Sequence, residues 1–501
     1  MDEPHSGAPP IAETAPETPG LTVPSGPLGS HGSGRDAALA GRFLADPDLP
    51  GLRVVLDPAA MGPRLERHFL ASGSLPGGSV AACAIELVYY KPHRHCGVLY
   101  RATLRDRAAA ETEEWVFGQA FAPEIGRQRF GYLEACLGDV RPACAALRDV
   151  AAAGYWDDLH IAVSLFPHDR KMPMVRRAAD PEYVRHVLQT HPEAGEAMGG
   201  RATPVSIGFD RLKYMPGKRC VLRYHLGWGD SPERGRRRSF ISKTYPDGGA
   251  RQVFERLRGA CDAWRARDPG IDVPRPLVAL EDTHSNWVED WGGTPLAAAF
   301  ATGDGEAHIE RAAALLAAIH RSRVDGLPAA PDRDEVLRTA VEALERYATD
   351  VPEHAKAMTE LRQRIEREAP ASLESTRVPI HGAFRAEQLL VRDGRITAID
   401  FDALAFGDPL QDVAEFIASL RYLEVGMGRP RGELARAAAA FCEQYAALVP
   451  WRCDPDRIAW YAAGYTANKM HSTIKHLDLA AIARLIASGP SLIQQLFEAP
   501  R

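Results

Sequence analysis

No apolar run in the 501 residues approaches the ~20 residues that a membrane-spanning helix needs, so a helical integral membrane protein is excluded. Basic excess is missing too. Sixty Lys and Arg against 66 Asp and Glu leave a net charge of −6, which excludes a generally basic nucleic-acid binder. The eight cysteines show neither a CxxC pair nor a metal-ligand spacing, and they read as reduced, buried thiols. Met1-Asp2-Glu3-Pro4 lacks the basic and apolar regions of a signal peptide, so a cytoplasmic protein is expected. A Gly-rich loop of the G-x-G-x-x-G kind is absent as well.

Residues 1–35 are rich in Pro, Gly, Ser, Thr and Ala with no periodic apolar face, a composition that predicts a disordered tail. Beyond it the chain repeats. Tyr90–Phe130 aligns without gaps on Tyr214–Phe254 at a constant offset of 124, with eight identities: Tyr90/Tyr214, Pro92/Pro216, Cys96/Cys220, Tyr100/Tyr224, Asp106/Asp230, Arg127/Arg251, Gln128/Gln252 and Phe130/Phe254. Chance gives roughly two or three at ordinary composition. Pro50/Pro173, Asp57/Asp180 and Pro58/Pro181 extend the match upstream at offset 123. A duplicated module of about 90 residues follows.

Each copy reads as a Pro-bounded helix (58–70; 181–188), two strands around a tight turn, a third strand (115–121; 239–245) and a helix from Gly126 or Gly249,. The run Arg234–Arg238 lies between strands and reads as a solvated hairpin tip,. His93 and His95 fall on the matching turn of the first copy and read as solvated rather than metal-bound,. From about residue 300 the pattern is helical: 312–320, 338–347, 410–420, 434–448 and 458–485 carry apolar residues at spacings of three and four,. One hairpin interrupts them, residues 388–392 and 396–401 around Asp393-Gly394,.

The chemistry gathers at that hairpin. Ile380-His381-Gly382-Ala383-Phe384-Arg385-Ala386-Glu387-Gln388 enters it, Ile399-Asp400-Phe401-Asp402 leaves it, and Gly407-Asp408-Pro409 with Asp412 follow. Phosphoryl transfer uses such a layout: a loop residue for the acceptor hydroxyl, then a side-chain oxygen and a carboxylate that hold Mg²⁺ on the phosphates. Gln388 and Asp400 both offer the hard oxygen ligands that Mg²⁺ takes.

Over residues 205–480 the sequence resembles the aminoglycoside phosphotransferase and choline-kinase-like family, a branch of the protein-kinase-like fold. His381, Gly382, Ile399, Asp400, Phe401, Asp402, Gly407, Asp408, Pro409 and Asp412 match that family's pattern in order and spacing, and 312–320 resembles its helix ending in His. The resemblance implies an α+β fold of two lobes, here with a duplicated small lobe at the N-terminus and a mainly helical C-lobe. The implied limits are 36–150 for the small-lobe-like repeat, 151–291 for the kinase-like N-lobe and 292–501 for the helical C-lobe. It also implies ATP and Mg²⁺ as cofactors. Lys243 would hold the phosphates, Glu255 would orient Lys243, Gln388 and Asp400 would hold the metal, and His381 would brace the loop. The hinge would run through Trp287–Gly293, with Glu289 a solvated loop carboxylate. Lys218 and Arg219 are secondary phosphate candidates.

Two positions depart from the family. Ala383 stands where its catalytic Asp would be, and Gln388 where it has Asn. Gln keeps an amide oxygen, whereas Ala cannot accept a proton, and general-base help is worth ~10²–10⁴ in rate. Neither Glu387 nor Asp402 is an evident replacement. In the first copy Gln119 takes the Lys243 position and Gly131 the Glu255 position. That copy is expected to lack a phosphate site and to pack, or to bind a protein partner. The expected function is ATP-dependent phosphoryl transfer to a hydroxyl of a small molecule or peptide. The alternative is a pseudokinase that binds nucleotide or a partner and scaffolds. Neither reading involves nucleic acid or a membrane.

Overall fold

The structure, a computed structural model, describes residues 41–71, 78–105, 110–137, 153–198, 204–228, 236–267, 271–370, 376–429 and 432–497. The expected tail (1–35), Asp106, Asp230 and the start of the 234–238 run lie outside them.

The duplication is written in the strand order. The first sheet comprises β1 (Ser79–Lys91), β2 (His95–Arg105), β3 (Glu111–Phe121), β4 (Ala153–Trp156) and β5 (Ile161–Leu165), in the order β1-β2-β3-β5-β4. The second comprises β6 (Ser206–Met215), β7 (Arg219–Trp228), β8 (Arg236–Thr244), β9 (Pro276–Leu280) and β10 (Ser285–Glu289), in the order β6-β7-β8-β10-β9. Every pairing is antiparallel. Helix α1 (Pro58–Ala71) precedes the first sheet and α2 (Pro123–Leu137) follows β3. Helices α3 (Pro181–Thr190) and α4 (Pro192–Met198) precede the second sheet, and α5 (Gly249–Arg267) follows β8. Asp57 and Asp180 each accept from a backbone N–H two residues on, of Ala59 (2.9 Å) and Glu182 (3.0 Å), which satisfies an otherwise orphaned helix donor.

The same side chains hold the same turns in both copies. Asp46 accepts from the Tyr90 hydroxyl (2.9 Å) and the His93 N–H (2.8 Å). Asp169, 123 residues later, accepts from the Tyr214 hydroxyl (3.0 Å) and the Gly217 N–H (2.5 Å). The buried Tyr100 hydroxyl donates to Val55 C=O (2.5 Å), and the Tyr224 hydroxyl donates to Ala178 C=O. His93 does find acidic neighbours, with Nδ1 2.9 Å from Asp48 and 3.5 Å from Asp46. Because Asp169 performs the Asp46 task without a His or a second Asp, the cluster is a turn clamp.

The repeat is longer than 90 residues. β4 and β5 complete the first sheet beyond residue 150, so the limit expected at 150/151 cuts through that module, and the chain leaves it only after Leu165. These strands span four and five residues, too few for an alternating pattern to stand out.

The helical lobe comprises α6 (Leu296–Thr302), α7 (Ile309–Arg321), α8 (Arg333–Asp350), α9 (Ala355–Arg367), α10 (Leu410–Met427), α11 (Ala435–Leu448), α12 (Pro455–Lys475) and α13 (Leu479–Phe497). α12 packs against α8, α10 and α13, and α7 against α11. The single helix expected over 458–485 is two: the chain breaks at His476–Asp478, where Leu477 has φ +49° and Asp478 accepts from the Ala481 N–H (2.9 Å). A two-stranded ladder joins β12 (Val378–Ile380) to β15 (Ala405–Gly407). The hairpin of β13 (Leu389–Arg392) and β14 (Arg395–Ala398) turns on Asp393-Gly394, both at positive φ. The chain crosses between lobes at Asp290–Gly293 and enters β11 (Thr294–Pro295), which pairs with β13.

The first copy touches both lobes. Its Glu114 pairs with Arg211 (2.9 Å), and Trp115 stacks on Tyr214 (6.3 Å between centroids). On the other side Arg42 meets Glu353 (2.7 Å), and His476 Nδ1–H donates to Val88 C=O (2.7 Å). The molecule is an α+β fold of two small lobes, each built on a five-stranded antiparallel sheet, and one mainly helical lobe. No helix among the described residues is long and apolar enough to cross a membrane, and the six described cysteines are free.

Candidate active site

The loop entering β13 is held from behind. Asp412, in the first turn of α10 and fully buried, accepts from the N–H of His381 (2.6 Å), the N–H of Gly382 (2.9 Å) and Nε2–H of His320 (3.0 Å). His320 ends α7, and its Nδ1 lies 2.7 Å from the Tyr445 hydroxyl on α11. His381 uses both ring nitrogens. Nε2–H donates to Ile399 C=O (3.0 Å), and Nδ1 accepts from the Ala383 N–H (3.2 Å). That pattern is the neutral imidazole, and burial lowers the pKa in the same sense,. His381 therefore ties the loop to the strand carrying Asp400. Gly382 has φ +76°, and a Cβ there would sit 2.3 Å from Ala403 C=O, so no other residue fits. Asp408 anchors the next turn by accepting from Arg457 (3.1 Å) and the Tyr461 hydroxyl (3.2 Å) of α12.

The front of the loop meets the small lobe. Lys243, on β8, donates from Nζ to Asp400 Oδ1 (2.6 Å) and Asp402 Oδ1 (3.0 Å). Arg219 reaches the same carboxylates, 2.8 Å from Asp402 and 3.6 Å from Asp400. The Tyr245 hydroxyl donates to Asp402 Oδ2 (3.1 Å), and Gln388 Nε2 donates to Asp400 Oδ2 (3.0 Å). Burial opposes charge on Asp400, but Lys243 and then Arg219 outweigh it and hold the carboxyl well below its ordinary range,. Burial likewise opposes charge on Lys243, and the two carboxylates reverse it and push its pKa up. Lys213 on β6 feels the same centre; burial lowers its pKa to about 8, against the pull of Asp400.

Five of the six residues expected at the site lie around this centre, Ala383 within the His381–Gln388 loop that borders it. Glu255 does not. It is exposed on α5 with its carboxylate 3.5 Å from Arg251, while Lys243 is taken up by Asp400 and Asp402. The reason is helical phase: Ala250, Val253, Phe254, Leu257, Ala260, Cys261 and Trp264 form the buried stripe of α5, which leaves position 255 on the far side. Lys218 also turns elsewhere, with its ammonium 5.2 Å over the Tyr89 ring of the first copy. Glu289 pairs with Arg275 (2.7 Å). Arg219 was only a secondary candidate, and Lys213 and Tyr245 were missed. Along β6, Ile207, Phe209, Arg211 and Lys213 alternate with the more exposed Ser206, Gly208, Asp210 and Leu212, an alternation that the sequence, with Leu212 on the exposed side, does not spell out. Gln119 has the neighbours of Lys243 in the first sheet. It pairs with Gly97 and Ala162, as Lys243 pairs with Val221 and Asn286.

The arrangement gathers two carboxylates, an amide and three cations where the lobes meet. The sequence model of the phosphotransferase enzyme family, APH, matches residues 222–461. No curated protein is similar enough to count as a relative. Solved structures similar to the chain include an aminoglycoside phosphotransferase from Streptomyces rimosus (18% identity, 53% of this chain and 93% of that one, TM-score 0.37). A choline/ethanolamine kinase family protein from Mesorhizobium loti is 17% identical over 64% of this chain and 95% of that one, at TM-score 0.39. A glucosamine kinase solved with glucosamine, ADP and inorganic phosphate is 14% identical over 85% of this chain and 99% of that one, at TM-score 0.40. Residues 222–461, which carry the His381–Asp412 motif folded around one centre, are similar to the phosphotransferase enzyme family.

Proposed function

We propose that the chain transfers the γ-phosphoryl group of ATP to a hydroxyl of a small molecule. The observation that carries this reading is the convergence of Lys243, Asp400 and Gln388, from three separate elements, at the lobe junction. The donor set fits a divalent cation. Asp400 and Gln388 are adjacent oxygen-bearing side chains, and turning the amide presents its oxygen instead of its nitrogen. Mg²⁺ held there would neutralise charge on the phosphates. Lys243 and Arg219 would hold phosphate oxygens, and His381 would keep the loop in register with Asp400. The acceptor oxygen forms the new bond to the γ-phosphorus, and the bond to the bridging oxygen of ADP breaks. With Ala383 in the loop the hydroxyl proton passes to water or to the transferred group.

Ala383 favours a second reading, a pseudokinase that binds nucleotide and scaffolds. Thermal shift with Mg·ATP on the full chain tests the nucleotide site. At 100 Kd the expected gain is ~2.7 kcal/mol, lost in Lys243→Ala and Asp400→Ala. An absent shift at millimolar nucleotide, or an equal one in both variants, sinks the assignment. ATP consumption across a panel of hydroxyl compounds then separates kinase from pseudokinase.

A further inference from the structure

Several buried polar atoms without a hydrogen bond lie on the loop and on the helices α10 and α12. Arg385 Nε, Glu387 Oε2, Tyr422 Oη and Thr466 Oγ1 are all in this state among the described residues. Arg385 is 3% exposed, Thr466 0% and Lys469 4%. They come from three elements: Arg385 and Glu387 from the loop, Glu415 and Tyr422 from α10, and Thr466 and Lys469 one turn apart on α12. Glu415 stands 3.6 Å from Arg385 Nε, beyond hydrogen-bond reach,. The Lys469 ammonium lies 6.0 Å over the Tyr422 ring and donates no hydrogen bond among the described residues. The charges of Glu387, Arg385, Glu415 and Lys469 act on one another. Loop phase explains the two sides: Gln388 turns to Asp400, and Glu387, its neighbour, turns to the α12 cation.

Native proteins rarely leave buried polar atoms unpaired, and a concentration of them asks for a partner. Two of these groups are cations that make no hydrogen bond to the carboxylates near them, and two are hydroxyls that can donate. Burial pushes Glu415 up to about 7, against Arg385 and Lys469. Burial also lowers the pKa of Lys469, an arrangement that an incoming anion would relieve.

We propose that Arg385 and Lys469, with the hydroxyls of Tyr422 and Thr466, form the acceptor site, and that the acceptor carries an anionic group, a carboxylate or a phosphate, besides its hydroxyl. Its hydroxyl would then face Gln388 and Asp400 across the loop, with Glu387 at the half-exposed rim. This rests on the reading of Lys243 and Asp400 as the nucleotide site.

Binding to the full chain is measured by calorimetry for glycerol 3-phosphate, glycerate, glycerol and 2-amino-1,3-propanediol, one three-carbon frame in four charge states. Gluconate, glucose and glucosamine repeat the series on six carbons. At least one anionic member is expected to bind ~10-fold or more tightly than its neutral and amino counterparts, and the first two probes distinguish phosphate from carboxylate. Lys469→Met keeps the side-chain volume and removes a buried charge; it and Arg385→Gln should each abolish the preference while the Mg·ATP thermal shift persists. Tighter binding of an amine than of every anionic member, equal binding across both series, no binding by any member, or a preference that survives both substitutions overturns the proposal. Loss of the Mg·ATP shift in the unmodified chain overturns the nucleotide reading instead, and anion binding is scored independently of it.

Discussion

Asp412 receives donors from two directions, the loop N–H groups of His381 and Gly382 and the imidazole of His320. Removing its carboxylate leaves all of them buried without an acceptor, at ~1–3 kcal/mol for each such group. Asp412→Ala is expected to lower stability by about 3 kcal/mol or more in urea unfolding; a loss under about 1 kcal/mol would show the loop held by something else. Ala383 calls for the opposite experiment, since it lacks a group. Ala383→Asp restores a proton acceptor five residues before Gln388 and touches none of the residues proposed for the metal. Turnover on the true acceptor should rise ~10²-fold or more, with the Mg·ATP shift little changed. A fall in turnover would mean that another carboxylate acts as base. Asp402 is poorly placed for that, being occupied by Lys243, Arg219 and Tyr245. Glu415 gives a pH signature. Its pKa is raised to about 7 by burial, so as pH rises the unfolded chain releases this proton first. Stability is then present below pH ~4.5 and lost as pH climbs through 7, by on the order of 3 kcal/mol. The stability of Glu415→Gln relative to wild type should grow between pH 5 and pH 8, and parallel curves would refute this.

Helix α5 teaches why one expected partner was misplaced. A Lys on a strand and a Glu on the next helix are legible as types and order, but their meeting depends on rotation about the helix axis. The stripe through Ala250, Phe254, Leu257 and Trp264 fixes that rotation, and it was readable in the sequence beside Glu255. Glu255→Gln is accordingly expected to leave the Mg·ATP shift unaltered, whereas a loss like that of Lys243→Ala would restore the expected pair. The motif from His381 to Asp412 was readable because its side chains act on backbone groups within about thirty residues of chain. Arg219 and Lys213 were harder to see, because their place depends on strand register across β6 and β7, including the irregularity between Arg211 and Lys213. The break between α12 and α13 hid behind apolar periodicity that continues across it, although Asp478 supplied the capping residue.

At the level of the whole molecule, the repeat was visible in eight identities, while its full extent was not. The short strands β4 and β5 carry little pattern, and their counterparts β9 and β10 show that they belong. How the copies join was also beyond reach, since Arg211 and Glu114 sit on segments 97 residues apart. Their pair is nearly closed to solvent, with side chains 16% and 3% exposed. Removing one member of a buried pair costs ~3–5 kcal/mol, and Arg211 also donates to Glu113 C=O (2.6 Å). Arg211→Ala should therefore lower the unfolding midpoint of the full chain by the equivalent of about 3 kcal/mol in calorimetry. An unchanged midpoint would mean that the copies are joined by their apolar contacts, Trp115 and Phe166 on Tyr214, without help from the ion pair.

The contacts close into a circuit. The small lobe joins the helical lobe through Gly292 and Gly293, the helical lobe meets the N-terminal copy at Arg42 and His476, and that copy returns to the small lobe at Trp115 and Glu114. Two plates on a hinge can scissor freely, but three plates joined in a triangle cannot. Any opening at the glycine pair must be taken up at one of the other seams. The seam at His476 and Val88, half-buried between β1 and the end of α12, is held by one hydrogen bond and the Tyr89 ring, and the other by a buried ion pair flanked by aromatic rings. An opening about the glycine pair would therefore have to break a contact made by a histidine nearly two hundred residues away, or one made by the ion pair.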